Sequence, residues 1–308
     1  MTIRTATLLA GIPLENPALF HRVRFPVGDP AAWLAIETDG KSRTEFIVRD
    51  IEMDRAKRQV KVNQVSCPAD YAPAGGLSGD RPTATAQAVA ECLRQAEVQV
   101  VITDRTLPYI FAWHIQQLGI AVEYSPELGV LDRRTKDDQE LEWLSAAQRV
   151  TEAAILMACQ TVARASAASD GTLQHAGSCL TSESLQKMIS AFLLDCGYTN
   201  PHGSIVATKP DSADCHERGS GPLRTGEAVI IDIFPVDSKT HYCGDCTRTV
   251  VHGDPSDEVR RMHAAVVAAK QAATAALVVG ATADDVHGAT KAEIEAHRVS
   301  LRPRGSLR

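Results

Sequence analysis

Gly226-Glu-Ala-Val-Ile-Ile-Asp232-Ile-Phe and, after a short interval, Tyr242-Cys-Gly-Asp245-Cys-Thr-Arg-Thr249-Val-Val decide how this chain is read. Ala228 to Phe234 (AVIIDIF) is a run of β-formers with one carboxylate inside it, and Thr247 to Val251 is a second strand-like run. A carboxylate in a run that favours burial costs several kcal/mol unless it is paired or bound to a cation. Two strands joined by a short loop would set Asp232 and Asp245, 13 positions apart, side by side. Adjacent carboxylates on rigid strands can share divalent metal ions through oxygen. The alternative at this level is that Asp232 pairs with Arg248 or caps a turn.

Outward from this pair the pattern stays α/β. Upstream, Thr181 opens a capping box before apolar positions that run to Leu194, and Gly197 closes that helix. Glu140 to Ala168 reads as a long Ala-rich helix ended by Ser169-Asp170-Gly171. Downstream, Pro255 to Val279 and Asp284 to His297 read as helices. The first 130 residues alternate strands and helices. Ala31–Glu37 and Thr44–Arg49 form a hairpin around Thr38–Lys41; Thr83 to Glu97 is a helix capped by Thr83 or Thr85; Val98–Thr103 is a strand; Pro108–Leu118 is a helix stopped by Gly119; and Ile120–Tyr124 is a strand. That rhythm predicts a three-layer α/β domain. The polar stretch Leu131 to Asp138 marks the domain boundary.

The composition fits this reading. The 308 residues are 44% hydrophobic and 23% charged, with a net charge of −6 and a pI near 5.9, which argues against a nucleic-acid partner. No apolar run approaches the roughly 20 residues needed to cross a bilayer, and Met1 to Phe20 has no clear cleavage signal. The eight cysteines do not form a compact disulfide framework, so a reducing cytoplasm is expected. Trp33, Trp113 and Trp143 read as core or domain-interface residues. Cys243-Gly-Asp-Cys246 is a CxxC that could join Cys215 and His216 in a structural zinc site, but it runs into a strand rather than opening a helix.

Taken together, the Gly226–Asp232 stretch, Tyr242-x-Gly-Asp245-x-Thr-Arg-Thr249 and Gly253-Asp-Pro-Ser256 resemble the segment of pita-bread metallopeptidases that supplies their first two metal ligands. The family is that of Xaa-Pro aminopeptidase, prolidase and creatinase. His216, in Cys-His-Glu-Arg-Gly-Ser-Gly-Pro-Leu and 16 residues before Asp232, matches the family histidine that faces the scissile carbonyl. Arg133-Arg-Thr-Lys-Asp-Asp-Gln-Glu140 resembles the opening of the peptidase domain. The resemblance covers about residues 130 to 297 and is marked less sharply before that.

The resemblance implies an α/β fold in two domains: a creatinase-like N-terminal domain at 1–133 and a pita-bread domain at 134–308. It implies a metal-dependent aminopeptidase or dipeptidase of the Xaa-Pro peptidase type acting on peptides, with two divalent ions (manganese, cobalt or zinc). Asp232 would hold one metal, Asp245 would bridge both, and His216 would be the catalytic histidine. A homodimer is a further expectation.

Two departures stand out. The Asp-to-Asp interval is slightly longer than is usual in the family. The family also completes its site with a later His-Gly histidine and two glutamates, which the sequence to Arg308 does not supply. His287-Gly288 and the pair Glu293 and Glu295 fall in a helix-like stretch and read as solvated helix residues. The tail 298–308 carries four Arg in eleven residues with no acid, and reads as a frameshift, a premature stop or a natural short form. The expectation is a shortened peptidase domain, with weak or absent metal binding and little activity. The alternatives are a non-catalytic pseudo-peptidase that binds a partner, or a creatinase-like amidine hydrolase.

Overall fold

A computed structural model describes residues 3–38, 40–297 and 299. The turn at Asp39 and the Arg-rich tail, Val299 apart, lie outside the described residues. The chain divides into two compact units: 1–142 with 239–241, and 143–238 with 242–308. Each is described by itself.

The first unit contains β1 (Thr5–Gly11), α1 (Pro17–Val23), β2 (Ala31–Thr38), β3 (Lys41–Ile47), α2 (Met53–Gln59), β4 (Gln64–Ser66), α3 (Arg81–Gln95), β5 (Val100–Thr103), α4 (Tyr109–Gln117) and β6 (Ala121–Tyr124). The strands form one mixed sheet in the order β4-β3-β2-β1-β5-β6. The hairpin β2–β3 is antiparallel, with Thr38 opposite Lys41, and β5 runs parallel to β1 and β6.

Successive strand residues face opposite layers. Leu8, Leu34 and Ile47 join a core with Val89, Leu93, Phe111 and Ile115 of α3 and α4. Leu9, Trp33 and Phe46 join another with Leu19, Val23 and Ala56 of α1 and α2. This is the expected three-layer arrangement. Glu45 is wholly buried at the sheet. It accepts hydrogen bonds from Ser66 and Tyr71 at 2.6 Å each and from Arg43 at 3.3 Å.

Two expectations are corrected here. The start of α3 is set by Asp80, whose carboxylate accepts from Thr83 N–H at 3.0 Å, and not by Thr83 or Thr85. Pro82 fits the first turn, where its missing N–H costs nothing. Trp113, read as a core or domain-interface residue, is 45% exposed on α4, which excludes the core half of that reading.

The second unit takes up most of α5 (Asp138–Ala163), then β7 (Ser166–Ala167), β8 (Leu173–His175), β9 (Ser178–Cys179), α6 (Ser182–Asp195), β10 (Tyr198–Thr199), β11 (Ile205–Ala207), β12 (Ala228–Ile233), β13 (Val236–Asp237), β14 (Cys246–Val251), α7 (Asp257–Ala276) and α8 (Ala283–Ala296). The helix α5 ends sooner than its Ala content suggests, because Ser166 and Ala167 leave it to pair with β8. Its buried residues Ala147, Thr151, Ala154, Ile155, Ala158 and Val162 follow helical spacing. The apolar ones pack with Leu185, Ile189 and Leu193 of α6 and with Val229, Ile231 and Ile233 of β12. Thr181 caps α6 in a box with Ser184, as read from the sequence. Among the described residues no helix is long and apolar enough to cross a membrane.

Candidate metal centre

The strands β11, β12 and β14 form an antiparallel sheet with β12 in the middle. Alternation along β12 sends Val229, Ile231 and Ile233 to the core and leaves Ala228, Ile230 and Asp232 half-buried on the other face. Asp232 is therefore not inside the apolar core, as its neighbours suggested, because the period of a strand separates it from them.

The register pairs Asp232 with Thr247 and Ile233 with Cys246. Thr247 and Asp232 share a face, and the Thr247 hydroxyl donates to Asp232 Oδ1 at 2.6 Å. Among the described residues Asp232 has no ion pair with Arg248. The Arg248 guanidinium instead donates to the Thr247 carbonyl at 2.8 Å.

Asp245 stands just before β14, two residues from Thr247. Its backbone N–H donates to Gln148 Oε1 on α5 at 3.2 Å. Gly244 lies flat against that helix: a Cβ there would come within 2.1 Å of Thr151 Oγ1 and 2.7 Å of the Ala147 carbonyl oxygen. Trp143 and Tyr242 also meet, with ring centroids 5.1 Å apart. Burial, and next to it the charge of Asp232, raise the Asp245 carboxyl above its ordinary value. The charge of Asp232 makes a negative Asp245 costly, and a bound cation would relieve that cost. An all-oxygen pair of this kind suits a hard or borderline divalent ion, and the residues present fit such a group.

His216 is exposed on the turn that follows Pro210. The segment leaving this turn runs beside β11, with Val206 N–H bonded to the Arg218 carbonyl at 2.9 Å. Gly219 has φ +84°, and a Cβ there would lie 1.9 Å from the Val206 oxygen, so only glycine passes at this point. β11 lies between this segment and β12. His216 makes no hydrogen bond or ion pair with Asp232 or Asp245. It groups instead with Asp214 and Cys215, and among the described residues this is the one trio of potential ligands whose donor atoms lie within 4.8 Å of one another. Cys243 and Cys246 do not join it: Cys243 is exposed, Cys246 is buried, and all eight cysteines are free.

Later in the chain, Gly288, Glu293 and Glu295 lie within α8, as read from the sequence. The sequence reading singled out neither Gln148 nor the close packing of Gly244. A glutamine on a long helix carries no signal of its own, while Thr247 stood in the quoted motif without an assigned role.

Comparison with known proteins gives the family and the fold. Residues 142–306 match the model of metallopeptidase family M24, which is more than half of the chain, and the chain belongs to that family. No curated protein matches it. Among solved structures, the prolidase from Pyrococcus horikoshii OT3 is similar at 17% identity, over 95% of this chain and 74% of that one, with a TM-score of 0.70. The X-Pro aminopeptidase from Thermotoga maritima MSB8 is similar at 17% identity, over 95% and 75%, with a TM-score of 0.72. The Xaa-Pro dipeptidase from Bacillus anthracis is similar at 18% identity, over 94% and 72%, with a TM-score of 0.72. At these identities the likeness establishes the fold, the α/β pita-bread architecture.

Proposed function

We propose that the second unit is a peptidase site of the Xaa-Pro aminopeptidase or prolidase kind, with Asp232 and Asp245 as its metal carboxylates and His216 as its catalytic histidine. The observation that carries this reading is the carboxylate pair: Asp232 on the half-buried face of β12 and Asp245 at the entry to the neighbouring strand β14, with the Asp245 carboxyl raised by desolvation and then by the charge of Asp232. A divalent ion bound there would polarise the scissile carbonyl and acidify a water. The chain's own contributions are the two oxygen ligands, the Thr247 hydroxyl that fixes the Asp232 rotamer, and the backbone hydrogen bond to Gln148 that fixes Asp245. His216 would donate to the developing oxyanion or carry a proton.

Two carboxylates without a third ligand hold a cation loosely. Among the described residues no histidine or further acid joins Asp232 and Asp245 in a trio of ligands. The 308-residue polypeptide should therefore bind manganese weakly, at about millimolar concentration, and turn over little. The same observation favours a second reading, a non-catalytic relative that keeps the fold and holds a peptide without cleaving it. Calorimetric titration with manganese and hydrolysis of Xaa-Pro peptides test both. Asp232→Asn and Asp245→Asn should each abolish the manganese signal; a signal indifferent to both removes the metal assignment. Metal-dependent turnover at roughly 1–10³ s⁻¹ would overturn the expectation of low activity and the non-catalytic reading together.

A further inference from the structure

We infer that Asp214, Cys215 and His216 form a second cation site, chemically distinct from the carboxylate pair and selective for a thiophilic divalent ion such as zinc. Three donors of different hardness are brought together on one exposed turn. The Asp214 carboxylate, the Cys215 thiol and the His216 imidazole each place a ligand atom within 4.8 Å of the others. The Cys215 Sγ to His216 Nδ1 distance is 3.9 Å.

That separation can be compared with what a metal requires. With zinc–sulfur and zinc–nitrogen bonds of about 2.3 and 2.0 Å, one ion spans a sulfur and a nitrogen about 3.5 Å apart at the tetrahedral angle, and about 3.9 Å apart at a bite of about 130°. The pair therefore stands about 0.4 Å wider than a tetrahedral chelate requires, a gap that rotation of the exposed side chains can close. The fold contributes the third arm. The backbone N–H of His216 donates to Asp214 Oδ1 at 2.9 Å, which holds the carboxylate on the same turn with its other oxygen left for a cation.

All three residues are exposed, so an ion can reach them, and water would complete the coordination. A thiolate, an imidazole and one carboxylate select a softer ion than two carboxylates do. The two sites should accordingly sort zinc from manganese. Occupancy would withdraw the His216 imidazole from substrate, so that zinc would inhibit at the turn while manganese loads the strands. This consequence rests on the role of His216 proposed above; the binding does not.

Cobalt(II), a spectroscopic stand-in for zinc, is the probe, because thiolate ligation gives an ultraviolet charge-transfer band that oxygen ligands do not. Titrated into the fully reduced 308-residue chain, it should produce this band and saturate at one equivalent. Cys215→Ser should abolish the band, and His216→Ala and Asp214→Asn should each weaken binding about tenfold or more. Cys243→Ser, which removes another exposed thiol, and the double variant Asp232→Asn/Asp245→Asn should leave the band unchanged. No band, a band that survives Cys215→Ser, or a band lost with Cys243→Ser would overturn the assignment. None of these outcomes depends on manganese binding or peptide hydrolysis, so the peptidase reading stands or falls separately.

Discussion

Replacing Gly244 by alanine should destabilise the second unit and disturb the candidate metal centre together. Gly244 is buried beside α5, and a new Cβ would lie 2.1 Å from Thr151 Oγ1 and 2.7 Å from the Ala147 carbonyl oxygen. An ordinary carbon–oxygen contact is about 3.3–3.6 Å, so the loop and the helix must part by about 1 Å. Neither neighbour yields easily. Thr151 is wholly buried and its hydroxyl is bonded to the Ala147 carbonyl at 2.8 Å, while that carbonyl belongs to the helix backbone. Overpacking of this kind costs about 1–3 kcal/mol. For a unit of this size each kcal/mol lowers the midpoint by about 2–4 °C, which gives a fall of roughly 2–12 °C. Thermal unfolding followed by circular dichroism measures it. Added to a Thr151→Ala background, Gly244→Ala should cost less than it does alone, because one of the two clashes is gone and the carbonyl contact remains. A Gly244→Ala protein that melts within about 1 °C of the parent would refute the packing argument. Since the next residue is Asp245, the substitution should also weaken manganese binding.

The first unit offers a test of buried-acid accounting. Glu45→Ala strands the Ser66 and Tyr71 hydroxyls, each bonded to the carboxylate at 2.6 Å; at about 1–3 kcal/mol per orphaned group, urea unfolding should show a loss of about 2–6 kcal/mol, and unchanged stability would discard the network as a structural element. Asp245 gives a pH dependence. Its carboxyl is raised, first by burial and then by Asp232, so its favourable contribution is complete below the unfolded carboxylate range and is lost as pH rises through the raised folded value. Asp245→Asn should therefore raise the unfolding midpoint of the metal-free chain near about pH 7 and have little effect near about pH 3; a variant less stable than the parent at the higher pH would contradict the assigned direction.

Much of the architecture was legible in residue order because it is local. Thr181 with Ser184, Gly119 and Gly197 in left-handed conformations, and the β-branched runs of β12 and β14 each act over a few residues. Where local signals misled, a longer-range partner or a neighbouring cap had won. Ser166 and Ala167 left a helix-favouring run to pair with β8, and Asp80 took the capping role expected of Thr83 or Thr85.

For the site, the sequence by itself determined the chemistry available, two acids at fixed spacing and a histidine upstream, and through its motifs the family. Only the tertiary structure decided the arrangement. Strand alternation put Asp232 on the open face, antiparallel register set Thr247 beside it, and the packing of Gly244 on α5 brought Gln148 to the Asp245 backbone. His216 was placed with Asp214 and Cys215 by a turn whose hydrogen bond no spacing rule anticipates. The physical reason is the range of the forces. Propensity and capping act within a turn or two of chain, whereas a shared face depends on register and packing between segments far apart in sequence.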